Sequence, residues 1–126
     1  MRMRCLLVDD NAAFLSSART LLDRQGVMIV GTASTSAEAL RLAAALRPDV
    51  VLVDIALGEE NGFDLGRRLA ESNRDGDGAA MAVIMISTAA ESDYAGLVAE
   101  SPAAGFLSKA ELSAAGIRRI LAGEHR

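Results

Sequence analysis

The chain of 126 residues has no tryptophan, one histidine, one cysteine and two prolines, and aromatic residues make up 3% of it. A lone cysteine, Cys5, excludes an intrachain disulfide and fits a reducing compartment. Its place in an apolar run marks it as a small buried hydrophobe. No apolar run approaches the ~18 residues of a membrane span. The start, Met1-Arg2-Met3-Arg4, passes directly into a strand-like run and then into Asp9-Asp10. That leaves no place for the uncharged core of a signal peptide, so a cytoplasmic location away from membranes is expected. Scarce aromatics remove the stacking platforms that single-stranded nucleic acids need. A net charge of −4 and a pI near 4.9 argue against direct nucleic-acid binding by this chain. Arg118, Arg119 and Arg126 are the only candidates for a basic patch near the C-terminus, and a solvated helix face explains them better.

What the chain does have is apolar residue in quantity: 51% of the sequence, with a mean hydropathy of +0.24. Its length fits one domain spanning residues 1–126. Short apolar runs alternate with amphipathic stretches five times. The spacing predicts strands at Arg4–Val8, Met28–Thr32, Val50–Val53, Ala82–Ile86 and Gly105–Leu107. Three of them read as unbroken Val/Ile/Leu/Met, the pattern of parallel strands covered on both faces. Phe14, Ala18, Leu21 and Leu22 keep helical spacing in the first helix. Thr35-x-x-Glu38 opens the second with a capping-box pattern. Leu65 and Leu69 face inward in the third, with Arg67, Arg68 and Glu71 outward. A weaker fourth covers Asp93–Glu100, and Ala114, Ile117, Ile120 and Leu121 mark the fifth. Gly26, Pro48 and Pro102 punctuate helix ends, and Ser72–Ala80 reads as a loop. Strands alternating with helices predict an open parallel α/β sheet with right-handed crossovers.

In such a sheet, ligands bind beyond the C-terminal ends of the strands. The first predicted strand ends in Asp9-Asp10, the third in Asp54, the fourth in Ser87-Thr88, and the fifth leads into Lys109. One crevice would then hold three carboxylates, two hydroxyls and one ammonium. Carboxylates packed that closely repel one another unless a cation sits among them. Oxygen ligands without imidazole or thiolate favour a hard ion, and a site that also uses water favours Mg²⁺, with Mn²⁺ as a substitute. Such an ion offsets the charge of an incoming phosphoryl group and lets a carboxylate act as its nucleophile. Taken singly, Asp9-Asp10 could cap the first helix, Asp54 could cap a loop, and Lys109 could be a solvated charge. Their joint placement at one end of the sheet favours chemistry.

At these residues the chain resembles a response-regulator receiver domain, over essentially its whole length. The pieces that carry the resemblance are Leu7-Val8-Asp9-Asp10-Asn11, Val53-Asp54-Ile55-Ala56-Leu57-Gly58, Gly62-Phe63-Asp64-Leu65, Ile86-Ser87-Thr88-Ala89 and Gly105-Phe106-Leu107-Ser108-Lys109. The resemblance implies a flavodoxin-like (βα)5 three-layer sandwich, with a parallel five-stranded sheet of order 2-1-3-4-5. It implies Asp54 as phosphoacceptor, supplied by a sensor histidine kinase or a histidine phosphotransfer protein. It further implies metal ligation by Asp10, Asp54 and the backbone carbonyl of Ala56, with Asp9 acting largely through water. Ser87, Thr88 and Lys109 would contact the phosphoryl group, and Ser87 with Phe106 would form the switch. The fourth helix, fifth strand and fifth helix would carry the signal outward, with a phosphorylation-dependent homodimer as one outcome. Such a domain catalyses its own phosphoryl transfer and slow dephosphorylation and is not a turnover enzyme.

Three departures from the family pattern stand out. Gly58 replaces a common proline, so the loop over the metal site is expected to be looser. Ala110 replaces a proline joined by a cis bond, which leaves the Lys109–Ala110 peptide either trans or strained. Ser108-x-x-Glu111 there is a capping-box pattern that would start the fifth helix at this loop. Phe106 stands in place of tyrosine and offers partners no hydroxyl. Ala56 and Ala89, at positions that tune the attacking water in the family, imply an intermediate phosphoryl lifetime. Asn73-x-Asp75-x-Asp77-Gly78 imitates an EF-hand opening, but its twelfth position is Ile84, so it reads as a solvated loop. His125 near the chain end does not make the chain a histidine phosphotransfer module. A haloacid-dehalogenase-type hydrolase would need a second carboxylate where Ala56 stands. A flavin binder would need a phosphate cradle where Asp9-Asp10 stand. The alternative that survives is the receiver half of a DNA-binding transcriptional regulator whose helix-turn-helix domain is absent from this chain.

Overall fold

The computed structural model describes residues 2–75, 81–88 and 94–123, with the backbone alone for 73–75. Five parallel strands form the sheet: β1 (Arg4–Val8), β2 (Met28–Ala33), β3 (Val50–Asp54), β4 (Ala82–Ser87) and β5 (Gly105–Ser108). Their order is β2-β1-β3-β4-β5, as the family resemblance implies. Five helices connect and cover them: α1 (Ala12–Arg24), α2 (Ser36–Leu46), α3 (Gly62–Asp75), α4 (Ala95–Glu100) and α5 (Ala114–Leu121). A separate two-strand hairpin pairs Ala56–Leu57 with Glu60–Asn61 directly after β3.

The unbroken apolar strands are covered on both sides because successive side chains point to opposite faces. Leu6, Val8, Val51, Val53, Val83 and Met85 meet Ala39 and Ala43 of α2 and Leu65 and Leu69 of α3. Cys5, Leu7, Val50, Leu52, Ile84 and Ile86 meet Ala18 and Leu22 of α1 and Ile117 and Ile120 of α5. These are the three layers of the flavodoxin-like α/β fold. Each fully buried aliphatic side chain contributes about 1.5–3 kcal/mol, so both faces of the sheet hold the strand ends rigidly in place. No described helix is long and apolar enough to cross a membrane.

Several local expectations change. Leu21 and Leu121 keep helical spacing but are about 40% exposed; α1 touches the sheet through the narrow row Phe14, Ala18 and Leu22. The helix α3 runs through Ser72 to Asp75, where a loop was expected. Its buried Leu65 and Leu69 carry the helix into residues of middling propensity, and Ser72 donates back to the Arg68 carbonyl at 3.1 Å. The fifth helix does not begin at Ser108: Ser108 and Glu111 pair side chain to side chain at 3.1 Å around a 3₁₀ turn, Lys109–Glu111. Ser113 is the N-cap of α5 instead, accepting from Gly116 N at 2.9 Å. Asn11, rather than Asp9 or Asp10, caps α1, through Phe14 N at 3.1 Å. The Lys109–Ala110 peptide is trans. Residues 76–80, Ala89, Asp93, His125 and Arg126 lie outside the described residues, as do the side chains of Asn73 and Asp75.

Burial of Cys5 pushes its thiol up to about 12, so in the fold it stays protonated and inert. This preference for the neutral thiol stabilises the fold fully below the unfolded value of about 8.5 and is lost as pH rises towards the folded one. A thiol-alkylating reagent at pH about 8.5 should therefore leave Cys5 unmodified in native protein and modify it promptly in denaturant; equal labelling in both states would contradict the burial.

Candidate functional site

Strand register assembles the site. Val8 pairs with Val53, so Asp9 and Asp54 lie side by side one residue further on. Asp54 pairs with Ile86 and Ser87 with Ser108, which places Ser87 and Lys109 on the adjoining rungs. Four neighbouring strands thus deliver Asp9, Asp54, Ser87 and Lys109 to one edge of the sheet. Asp9, Asp54 and Ser87 are buried, while Asp10 and Thr88 are exposed at the rim.

The carboxylates are individually fixed. Asp9 Oδ1 accepts from Asn11 N at 2.9 Å, and its Oδ2 lies 2.5 Å from Lys109 Nζ. That Oδ2 is sealed from solvent and receives no well-oriented hydrogen bond among the described residues. Asp54 Oδ1 accepts from Ala56 N at 3.1 Å, and Oδ2 accepts from Lys109 Nζ at 3.3 Å. One ammonium therefore bridges two buried carboxylates. Its outer side meets the Phe14 ring, 4.4 Å from the centroid. The role of Phe14 could not be read from sequence, where it looks like any apolar helix residue; a lysine near its ring is set by the fold.

Burial is the main influence raising Asp54 above the ordinary carboxylate range, followed by the negative charge of Asp9; Lys109 and the Ala56 N–H oppose both. For Lys109, burial works against the charge, but the bond to Asp9 and the charges of both aspartates outweigh it and hold the ammonium above its usual range.

Asp9, Asp10 and Asp54 each place a carboxylate oxygen within 4.8 Å of the other two. At that spacing and an effective dielectric of about 20, a pair of ionised carboxylates repels by roughly 3 kcal/mol. Three carboxylates stand against one ammonium, Lys109, and leave an excess of negative charge. The donor set is all oxygen. These residues fit a hard divalent cation.

A hairpin follows Asp54 at this edge. Gly58 has φ +60° at the first central position of a two-residue turn, a II′-like geometry that proline, fixed near −65°, cannot adopt. Gly58 also sits beside Asp10, whose Oδ2 would be 3.5 Å from any β-carbon placed there. Gly62 lies against the back of the acceptor: a β-carbon on it would fall 2.0 Å from the Asp54 carbonyl oxygen. Phe106 is buried, its ring tilted 31° against Tyr94 with centroids 6.4 Å apart. The register brings Asp9, Asp54, Ser87 and Lys109 to one end of the sheet, and Asp10 lies within 4.8 Å of Asp9 and Asp54. Ala89, expected beside the acceptor, lies outside the described residues.

The family described as "Response regulator receiver domain" matches residues 5–121. Response regulator GacA of Pseudomonas aeruginosa is 29% identical over 97% of this chain and 56% of its own length. A "Putative transcriptional regulator" of the same species is 32% identical over 86% of this chain and 50% of its own. The chain spans about half the length of the curated relatives it matches. The crystal structure of a two-component response regulator, LuxR family, from Aurantimonas sp. SI85-9A1 superposes with a TM-score of 0.84 and 28% identity, covering 99% of this chain and 89% of that one.

Two outcomes follow from the geometry. Because the fold raises the pKa of Asp54, its contribution to stability is present below the ordinary value of about 3.9 and is lost as pH rises through the folded value. At neutral pH the metal-free protein should accordingly gain a few degrees in Tm on Asp54→Asn; a lower Tm would contradict this account of the repulsion. Gly62→Ala should cost about 1–3 kcal/mol or more through overpacking against Asp54, measurable by denaturant unfolding; wild-type stability would show that the close approach is not real.

Proposed function

The chain belongs to the response regulator receiver domain family, and from that premise we propose that Asp54 is its phosphoacceptor, charged by a histidine kinase or a histidine phosphotransfer protein. The observation that carries this reading is the Lys109 bridge: an ammonium held simultaneously by Asp9 and by the carboxylate at the end of β3.

In the reaction, an Asp54 carboxylate oxygen attacks phosphorus in line with the departing imidazole. The phosphorus–nitrogen bond breaks, its electron pair stays on the imidazole, and that nitrogen takes up a proton. The product is a mixed anhydride on Asp54. The buried carboxylate needs no base, because it is a nucleophile once ionised. Lys109, already 3.3 Å from Asp54 Oδ2, supplies positive charge where phosphoryl oxygens arrive. Ser87 and, at the rim, Thr88 would contact the same oxygens. Asp9, Asp10, Asp54 and the Ala56 carbonyl would hold Mg²⁺, which Mn²⁺ would replace. The ion would supply charge neutralisation for the incoming phosphoryl group. Attack of water on the acyl phosphate would return the carboxylate and inorganic phosphate, the slow self-dephosphorylation of a phosphoacceptor.

Phe106 packs inward on Tyr94, beside α4. Phosphorylation would bias a two-state equilibrium through Ser87 and Phe106 and alter the surface of α4, β5 and α5, with homodimer formation as one output. A second reading, the receiver half of a DNA-binding regulator, is favoured by curated relatives of about twice this length, one of them named a putative transcriptional regulator. The mass of the protein from its native source separates the two.

Incubation with a small phosphodonor should label the wild type only when Mg²⁺ is present, and should leave Asp54→Asn unlabelled. Labelling that needs no divalent cation, or that survives the substitution, would sink the proposal.

A further inference from the structure

The hairpin after Asp54 is tied to a part of the molecule that has no evident business with the acceptor. Glu60 Oε1 accepts from Ser36 N, the first residue of α2, at 2.8 Å. The helix has its own cap: Thr35 accepts from Glu38 N at 3.2 Å. Glu38 in turn reaches back to Ser34 N at 2.9 Å rather than to the Thr35 N–H of a standard capping box. Glu60 thus satisfies one further orphan donor of the first turn from 24 residues away.

The connection closes a ring around the acidic cluster. Asp9 N donates to the Ala33 carbonyl at 3.0 Å, fixing the end of β2 to the first carboxylate. The loop from Ala33 to Ser36 then leads to Glu60. Glu60 pairs with Leu57, and Asn61 pairs with Ala56, whose N–H binds Asp54 Oδ1 at 3.1 Å. Gly62 N donates to the Ile55 carbonyl at 2.9 Å and completes the return to β3. The links are strand pairings, backbone hydrogen bonds and short covalent steps, apart from two side-chain acceptors, Asp54 and Glu60. A glycine turn at Gly58 has no proline to stiffen it, and the Glu60–Ser36 bond gives the hairpin an anchor outside itself.

The geometry points to Glu60 as a positioning residue. By anchoring the hairpin to α2 it fixes the Ala56 peptide against Asp54, and it couples the start of α2 to occupancy of the acidic cluster. This rests on the cluster being a Mg²⁺ site, as proposed above. The Ala56 N–H is an outer hydrogen bond to a proposed ligand, Asp54, a kind whose loss typically weakens metal binding, and Glu60 acts on it one step further out. Coupling is reciprocal: whatever lets α2 strengthen the site lets site occupancy order α2.

The test compares Mg²⁺ affinity, Tm and amide hydrogen exchange in full-length variants. Glu60→Ala should weaken Mg²⁺ binding by about tenfold and speed exchange across residues 54–62 without any metal. Glu60→Gln should retain most of the affinity, since its amide oxygen still accepts. Ser36→Pro deletes the donor, with Ser36→Ala as the control for loss of the buried hydroxyl: proline suits the first helical position, and Thr35 at φ −136°, ψ 161° suits the residue before one. It should match Glu60→Ala, and the double variant should be no worse than either single one. Thr35→Ala, which removes the helix's own cap but leaves the Glu60 bond, should lower Tm and weaken Mg²⁺ binding less than Glu60→Ala does. Mg²⁺ should slow exchange in the first turn of α2 in the wild type and not in Glu60→Ala. Unchanged affinity in Glu60→Ala, or an equal loss in Thr35→Ala, overturns the inference while the metal site stands. A wild type that binds no Mg²⁺ overturns the metal reading and this inference with it.

Discussion

Two carboxylates buried side by side at a strand edge are the constraint around which the rest is arranged. Asp9 and Asp54 are brought together by the register of β1 and β3, and neither can leave without unzipping a strand that is covered on both faces. Their repulsion is opposed by one ammonium, Lys109, delivered from two strands away. The oily sheet supplies the rigidity that forces the charges into proximity. The charges in turn make the edge a place where a cation and an anionic group can be received together.

That balance explains the surrounding detail. Lys109 is flanked by Phe14, so its ammonium meets an aromatic face on the side the aspartates leave open. Asp54 is backed by Gly62, because a larger residue would displace the carbonyl of the acceptor itself. The Ala56 N–H both orients Asp54 and belongs to the hairpin whose anchor is Glu60. Each device restricts the movement of a group whose charge the fold has made expensive.

The parallel sheet was legible in the sequence because unbroken runs such as Val50–Val53 admit little but a doubly covered strand; its strand order came from the family resemblance. The chemical residues were legible because they fall at the same end of successive strands. Less of the helix detail was legible. Leu21 and Leu121 satisfy helical spacing, yet periodicity cannot say how wide a stripe the sheet will cover. Ser108-x-x-Glu111 carries a capping pattern, but β5 and Lys109 draw the chain into a 3₁₀ turn before α5 can start. Phe14 and Glu60 were missed as parts of the site for one reason. Each acts on a partner distant in sequence, and only the folded chain sets that distance.

The most direct measurement of the central claim is to locate the phosphoryl group. Protein charged by a small phosphodonor in Mg²⁺ would be reduced with borohydride, which converts an acyl phosphate to an alcohol, and then digested for mass spectrometry. The account predicts homoserine at position 54 and unmodified aspartate at positions 9 and 10. Reduction at any other carboxylate, or a phosphoryl group that resists borohydride on a serine or threonine, would contradict it.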